Sequence, residues 1–474
     1  MPTRPIRLSF RAGASLALGL LTGCAVGPAY QVPATPQPAV FKETGPWLPA
    51  APADTLERGP WWTLFRDPLL DDLASRVEVN NQNVAAAVAS YAQARALVAQ
   101  QRASLFPTVN LGVSADSSGG GNSSSLPNSS SSSNSSYRLN IGGSWEPDIW
   151  GRLRAGVSGA SASAQASAAD LAAARLSAQG ELVTNYFSLR QTDAQRELLA
   201  QTIEGYQRVL DITRNRFDAG IAAKSDVLQA QTQLANAQSD DLTLERQRAQ
   251  LEHAIAILLG KAPAEFTLAQ APWSANVPEV PVGVPSALLQ RRPDIAAAER
   301  RVAAANAQIG IARAAYFPNI GLTGSYGTGG SIVSDLFSVS SAVWSLGLSA
   351  TQTIFNAGAT RASVAGAEAQ QQAAAARYRQ IVLEAFGDVE NQLAATRVLA
   401  QQQALRRAAS DAANQVEEQI LNRYKAGQVS YTDVVQAQVT ALAARRALVQ
   451  AQADRQTTAV ALIQSLGGGW HTLQ

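Results

Sequence analysis

Side chains able to do covalent or metal chemistry are scarce in this chain of 474 residues. It holds two histidines, His253 and His471, and a single cysteine, Cys24. A zinc site or a Cys/His nucleophile pair needs several such residues together, and neither histidine has a cysteine or carboxylate at ligand spacing. The sequence has no glycine-rich phosphate loop, no Ser/His/Asp series and no HExxH motif. It therefore predicts a protein that is not an enzyme and holds no metal.

The single cysteine lies at the end of a secretory signal, which we place at residues 1–23. Residues 1–11 are basic, and residues 12–21 form an apolar run that is too short to span a bilayer. The ending Leu-Thr-Gly-Cys resembles the bacterial lipobox, whose cysteine is acylated and becomes the new N-terminus. We therefore expect stable lipid anchoring through Cys24; an ordinary signal with a chance cysteine is the alternative. Ala25, where the sorting rule for inner-membrane lipoproteins has aspartate, favours the outer membrane.

The composition excludes two further classes of protein. The mean hydropathy of -0.06 and the lack of any later apolar run of about 18 residues exclude a bundle of membrane-spanning helices. The formal net charge of +2 depends on three arginines in the signal. Without them 35 basic residues face 36 acidic ones, which leaves a net charge of −1 and gives no indication of nucleic-acid binding.

After a proline-rich lipidated tether at 24–60, the chain is a tandem repeat. The sequence at 102–107 returns at 313–318, an offset of 211, and the sequence at 216–220 returns at 423–427, an offset of 207. Each copy should be one structural unit. We assign the repeats to 61–260 and 286–466, with a linker at 261–285 and a C-terminal tail at 467–474.

Within each repeat the hydrophobic period changes from that of a helix to that of a strand and back. We expect helices at 68–104 and 286–314 and β-hairpins at 108–145 and 319–353. Long helices should follow at 150–217 and 357–424. After a turn, a second helix should run back along each of them, at 226–259 and 433–466. The apolar residues of the long helices are spaced by three and four, as in coiled coils; they are Leu199, Ile203, Tyr206, Leu210, Thr213, Phe217, Val382, Phe386, Val389 and Leu393. Twelve serines in residues 117–136 predict a solvated loop.

The strand count constrains the assembly. The alternating strands suit either a soluble sheet or a transmembrane barrel, and the secretory signal and flanking aromatic residues favour the barrel. Four strands cannot close, and lipid does not tolerate an open sheet edge. The sequence therefore predicts an oligomer, without fixing the number of copies.

The whole chain resembles the TolC-like outer-membrane efflux channels, and most closely the NodT-type lipoproteins of resistance-nodulation-division (RND) pumps. The resemblance rests on the stretches WWTLFRDPL at 61–69, LLQRRPDI at 288–295 and AANAQIG at 304–310, and on the two Arg-aromatic-x-x-Gly turns. It implies an α+β membrane protein with an internal tandem repeat: a homotrimer whose 12-stranded transmembrane β-barrel, with four strands per chain, continues into a 12-helix periplasmic barrel. It also implies a periplasmic adaptor, an inner-membrane RND pump and the outer membrane as partners, and no cofactor beyond the lipid on Cys24.

The resemblance also assigns residues to the helix tips. It implies adaptor docking at the turns of Gly220 and Gly427, and a periplasmic gate or pore lined by Phe217, Asp226, Tyr424 and Asp433. The gating arginine and the second acidic position of the family correspond here to Val429 and Gln436. The resemblance therefore does not show which polar contacts would hold the closed state of this channel. Helix capping is an alternative role for both aspartates, since aspartate caps helices well.

Two other functions use the same observations. A conduit for type I protein secretion has the same fold, but the lipobox and the Arg-Arg-Pro-Asp stretch favour efflux. A lipid-anchored periplasmic coiled-coil scaffold would have the long helices without membrane-embedded strands.

Overall fold

The structure, a computed structural model, describes residues 26–35, 41–43, 60–119, 133–278 and 292–468. The signal peptide, Cys24, much of the tether, most of the serine-rich segment, residues 279–291 and most of the C-terminal tail lie outside these ranges. The chain divides into two compact units, one of residues 1–33, 91–167 and 298–378, the other of residues 34–90, 168–297 and 379–474. Each unit draws on both sequence repeats. The repeat boundaries themselves stay a prediction.

The longer elements follow the order predicted from the sequence. They are α1 (Pro68–Asn80), α2 (Gln82–Ala103), β1 (Thr108–Gly119), β2 (Ser133–Trp145), α3 (Arg152–Asp218), α4 (Lys224–Leu258), α5 (Pro293–Ala314), β3 (Asn319–Gly330), β4 (Ala342–Thr351), α6 (Ala359–Lys425) and α7 (Tyr431–Ser465). Short 3-10 helices lie at Trp61–Phe65, Pro263–Glu265, Val333–Phe337 and Val339–Ser341. The corresponding helices α3 and α6 both have 67 residues, and α4 and α7 both have 35. No helix among the described residues is long and apolar enough to cross a membrane.

The segment 68–104, predicted as helical, consists of two helices separated at Asn81. The side-chain oxygen of Asn81 accepts hydrogen bonds from the amides of Asn83 and Val84 and so begins α2, while its side-chain nitrogen donates to the carbonyl of Leu258. Periodicity does not show such a break, because an asparagine within an apolar stripe leaves the spacing intact. The helix predicted at 286–314 begins at Pro293 in the structure, and residues 286–291 lie outside the described ranges. Pro293 occupies the first position of α5, where its missing N–H costs nothing.

The first unit is built around one antiparallel sheet in the order β1-β2-β3-β4. Register fixes its two faces, because paired residues project to the same side. One face carries apolar rows such as Leu111, Ile141, Tyr326 and Trp344. The other carries mainly small polar residues, as in the row Asn110, Gly142, Ser325 and Ser345, with Val343 as an exception. Most of the exposed apolar residues of the sheet therefore lie on one face. Those of this face include Val109, Leu111, Val113, Ile141, Tyr326, Trp344, Leu346 and Leu348.

The junctions between helices and strands are held by two tryptophans. The indole of Trp145 donates to the carbonyl of Leu105, and that of Trp150 donates to the carbonyl of Pro318. Trp150 also stacks on Phe317, with ring centroids 4.7 Å apart. Each aromatic ring therefore braces the point where proline ends a helix.

The second unit is helical, and its helices bury narrow stripes. Val382, Val389, Leu393, Leu199 and Leu210 are all at most 2% exposed, so the predicted seams face the interior. Ile203 of the first seam is half-buried, and Phe217, its last residue, is 40% exposed. Beyond it the chain has reached the end of α3, where no further turn of helix remains to cover the ring.

The sheet register can be tested with a cysteine pair. The hydroxyls of Ser325 and Ser345 are 2.8 Å apart on the polar face, so the variant Ser325→Cys/Ser345→Cys should form a disulfide under mild oxidation. The matched pair Ser325→Cys/Leu346→Cys places its thiols on opposite faces and should stay reduced. Peptide mapping by mass spectrometry distinguishes the two. A bond in the control pair would mean that the strands have slipped by one residue.

Candidate functional site: the two helix turns

Both turns at the helix tips are closed by the same glycine motif. Gly220 and Gly427 adopt φ angles of +72° and +74°. The amide of Gly220 donates to the carbonyl of Phe217 over 2.8 Å, and the amide of Gly427 donates to that of Tyr424 over 2.9 Å. In each case the next amide donates back five residues to the carbonyl of an arginine. This is the Schellman ending, which requires the left-handed conformation that glycine adopts without strain.

Tyr424 lies in a set of contacts that joins the end of α6 to the end of α3. Its hydroxyl is 3.2 Å from the hydroxyl of Thr213. Arg216 donates to the carbonyl of Tyr424 over 2.7 Å, and its guanidinium carbon lies 4.6 Å from the centre of the tyrosine ring. On its other side the ring meets Tyr431 edge to face, with centroids 5.7 Å apart. We call these four residues the Tyr424 clasp.

The clasp belongs to a larger apolar cluster between the paired helices. Buried members from α3, α4 and α7 include Leu210, Leu234 and Val434, with Tyr206 farther along α3. Burial raises the pKa of Tyr431, and the neighbouring Tyr424, Tyr206 and Asp226 raise it further. Tyr431 therefore stays neutral under physiological conditions, as a ring buried among apolar side chains must.

Asp433 lies on the exposed side of the second turn, in a capping box at the start of α7. The Ser430 hydroxyl accepts from the amide of Asp433, while the Ser430 amide donates to the Asp433 carboxylate over 3.0 Å. The Ser430 hydroxyl also lies 2.7 Å from the same carboxylate oxygen. These hydrogen bonds hold the pKa of Asp433 below its usual value. The carboxylate thus supports the cap above its ordinary pKa of 3.8, and this support is lost as the pH falls through the lowered pKa.

The corresponding first turn has no such cap. Ala223 replaces the capping serine and makes no side-chain hydrogen bond, although the amide of Asp226 still donates to its carbonyl over 3.1 Å. Asp226 is half-buried and is the third residue of α4. A capping role is therefore seen for Asp433, as the third residue of a capping box, and not for Asp226.

Apolar side chains remain uncovered at the first turn. Ile221 is 68% and Leu228 is 52% exposed, and both lie near the exposed ring of Phe217 in sequence. Within the described residues, no hydrogen bond or ring contact joins any two of Phe217, Asp226, Tyr424 and Asp433. The four residues predicted for the gate are thus spread over two turns, with only Tyr424 held in a cluster.

Sequence reasoning missed the partners that define these surroundings. In the sequence, Thr213 is only a member of a seam and Arg216 only the first residue of a repeated turn, and neither Ser430 nor Tyr431 is among the predicted site residues. A signal was present in the repeat, because Ser430 and Tyr431 correspond to Ala223 and Lys224 at the offset of 207. Such a difference between otherwise similar copies indicates that the second turn makes contacts that the first turn does not make.

Comparison with known proteins identifies the architecture. The model of the family described as "Outer membrane efflux protein" matches the chain twice, at residues 73–261 and 284–468. The chain belongs to the outer membrane efflux protein family. It is 32% identical over 472 residues to the solvent efflux pump outer membrane protein SrpC of Pseudomonas putida, covering 98% of this chain and 100% of SrpC. It is 30% identical over 453 residues to the cation efflux system protein CusC of Escherichia coli, covering 95% of this chain and 96% of that protein.

Solved structures show the same fold. The outer-membrane channel OprN superposes with a TM-score of 0.84 at 31% identity, covering 94% of this chain and 100% of OprN. The open state of the MtrE outer-membrane channel of Neisseria gonorrhoeae superposes with a TM-score of 0.82 at 28% identity, covering 94% and 98% of the two chains. The predicted family, fold class and outer-membrane location are thereby confirmed, and the chain is an outer-membrane efflux protein.

The difference between the two turns can be measured by amide hydrogen exchange. Ser430→Ala removes the cap of α7, and loss of such a cap costs about 1 kcal/mol. We expect faster exchange at the first amides of α7, with α4 unchanged. The reciprocal variant Ala223→Ser should slow exchange at the start of α4. Equal exchange in the wild type and Ser430→Ala would show that the capping box contributes nothing to the turn.

Proposed function

We propose that this family member is the outer-membrane channel of a tripartite pump, a passive conduit for drugs or other small toxic compounds driven by an inner-membrane RND transporter. The observation that carries the proposal is the sheet, whose outer strands β1 and β4 each have a partner strand on one side only among the described residues. In lipid, each unpaired N–H or C=O group costs several kcal/mol, so β1 and β4 need partners.

Copies of the same chain can supply those partners. The sheet has an even number of antiparallel strands, so β4 of one copy runs antiparallel to β1 of the next. Such a head-to-tail contact closes into a ring. The family resemblance implies three copies and hence a 12-stranded barrel, and two relatives of this fold are described as outer-membrane channels.

The faces of the sheet support this orientation. Rows of leucine, valine, isoleucine and aromatic residues suit lipid, while rows of glycine, serine, threonine and asparagine suit a water-filled interior. Such an interior would carry mainly small polar groups, with Asp116 and Arg138 as charged exceptions among the described residues. This favours a conduit for varied compounds whose selection is made by the pump and its adaptor.

The turns at the helix tips are the proposed site of adaptor docking. The turn of Gly220 offers the exposed apolar side chains of Phe217, Ile221 and Leu228, which a partner could cover. The turn of Gly427 offers the polar exposed residues of the capping box. An adaptor of the membrane-fusion type would thus meet two chemically different turns on each chain.

We assign the gate to the same tips, with Asp433 and Tyr424 in different roles, and with Asp226 and Phe217 as further lining candidates. Asp433 is fully exposed, so three copies around an axis would form an acidic ring that attracts cations. Tyr424 would act through the clasp, because opening of the tip must separate α6 from α3. The contacts of Arg216 with the Tyr424 ring and carbonyl take the place of the family's arginine latch, which is absent at Val429.

The relatives indicate the cargo only by class. Their names refer to solvent, toluene, antibiotic, pyoverdine and cation efflux. A type I protein-secretion conduit is the second candidate. It would need only the same channel, whereas these relatives, which span nearly the whole chain, are described as efflux or export proteins. A scaffold outside the membrane would leave the apolar sheet face in water.

Native mass spectrometry of the mature protein tests both the lipid anchor and the trimer. We expect three chains, each with acyl mass on Cys24. The variant Cys24→Ser should lose that mass and retain the trimer, because the strand edges and not the lipid join the copies. Acyl mass retained by Cys24→Ser would refute the anchor, and a lipidated monomer would refute the barrel.

Bilayer recordings test the acidic ring. Asp433→Asn should shift the reversal potential in a salt gradient toward weaker cation preference, because the ring loses its charge. Asp411→Asn, which removes an exposed carboxylate about four turns before the end of α6, is the matched control and should leave the potential unchanged. An unaltered potential in Asp433→Asn would remove this residue from the pore.

A further inference from the structure

A basic cleft of about 570 Å³ lies in the first unit, beside the junctions of helices and strands. One wall is a stripe of α3 formed by Arg154, Ser158, Ser161 and Gln165, residues spaced by three and four. The other walls include Arg300 of α5 and Arg102 of α2. Among the described residues that line this cleft, none is an aspartate or a glutamate.

The three guanidinium groups have more hydrogen-bond donors than the protein uses. Arg154 donates through Nε to the carboxylate of Asp148 and through Nη2 to its carbonyl. Arg300 donates to Glu299 and, through Nη1, to Gln165 over 3.1 Å. Arg102 is exposed and has no ion pair or side-chain hydrogen bond among the described residues. The two carboxylates therefore leave one positive charge in excess, together with unused N–H groups on all three arginines.

The cleft lies at the level where a membrane surface is expected. Arg102 is in the last turn of α2, just before β1, and Arg154 is in the first turn of α3, just after β2. Phe106, which lies between α2 and β1, and Trp145, the last residue of β2, are both exposed. Exposed aromatic residues at the ends of membrane strands mark the boundary of the hydrocarbon, and arginines just beyond it meet the headgroups.

The N-terminal segment is attached at the same place. The amide of Val26 donates to the carbonyl of Trp150 over 3.3 Å, and the side chain of Asn306 donates to the carbonyl of Pro28 over 3.0 Å. Gly27 passes so close to Gly310 that an added Cβ would lie 2.9 Å from its Cα. The segment thus forms a fixed wall of the cleft.

We propose that this cleft binds the phosphate of an anionic phospholipid from the leaflet next to the helices. The phosphate would accept hydrogen bonds from Arg102 and from the unused N–H groups of Arg154 and Arg300, with the serine hydroxyls as further donors. Guanidinium groups bind phosphate well, because their planar N–H pairs match its oxygens. The acyl chains would enter the bilayer past the exposed aromatic residues. The site holds the assembled protein at a fixed depth and is independent of what the channel carries.

Lipid titration of the delipidated protein, followed by native mass spectrometry, tests the site. Wild type should bind phosphatidylglycerol more tightly than phosphatidylcholine. Arg102→Gln should weaken phosphatidylglycerol binding about tenfold, as expected for loss of a charge-assisted hydrogen bond, and leave phosphatidylcholine binding unchanged. The matched control is Arg95→Gln, because Arg95 lies on the same face of α2 two turns earlier and its contact is with the ring of Tyr91. This control should bind both lipids as wild type does.

Three outcomes would overturn the proposal. Equal losses in Arg102→Gln and Arg95→Gln would show attraction by net charge alone. Equal binding of the two lipids by wild type would show that the cleft has no preference for an anionic headgroup. Displacement of the lipid by an equal concentration of inorganic phosphate would identify a site for free anions. The same spectra report the oligomeric state, so a variant that fails to assemble is recognised, and Arg102→Lys then tests the site with the charge retained.

Discussion

The unpaired backbone edges of β1 and β4 are the constraint on which the rest of this structure depends. A sheet of four strands placed in lipid must find hydrogen-bond partners at both edges, and only other chains can supply them. The helices suit the same assembly. Their apolar stripes are narrow and rich in alanine, so each stripe covers one or two neighbours and leaves other faces for further copies. The chain is therefore folded for assembly with further copies of itself.

The local features of this fold could be predicted from the sequence, because they depend on neighbouring residues. Alternation predicts the strands, the spacing by three and four predicts the long helices, and the glycines at 220 and 427 mark the turns. The break at Asn81 and the Tyr424 clasp could not be predicted in this way. The clasp depends on Arg216, a partner far away in sequence, and the break at Asn81 combines a local cap with a bond to the distant carbonyl of Leu258. Periodicity contains no information about such contacts.

Duplication gave the chain two copies of one turn, and the copies have diverged in chemistry while keeping the backbone. The glycine motif has the same hydrogen bonds in both. At the second turn, tyrosines fill the space between helices and a serine caps the next helix. At the first turn, phenylalanine is exposed and an alanine leaves the helix without a cap. Because the backbone is unchanged, one turn can be fixed in place while the other stays available for a partner.

The same divergence occurs at the opposite end of the helices, among repeated arginines. Arg313, which corresponds to Arg102, is paired with Glu368, and Arg154, which corresponds to Arg361, is paired with Asp148. Neither Arg102 nor Arg361 has an ion pair within the described ranges. An arginine with a carboxylate partner braces the junction of helix and strand, whereas an unpaired one can neutralise a charge brought by another molecule. In the proposed lipid site, the first repeat therefore supplies Arg154, whose carboxylate partner braces the junction, and Arg102, which is left to meet the phosphate.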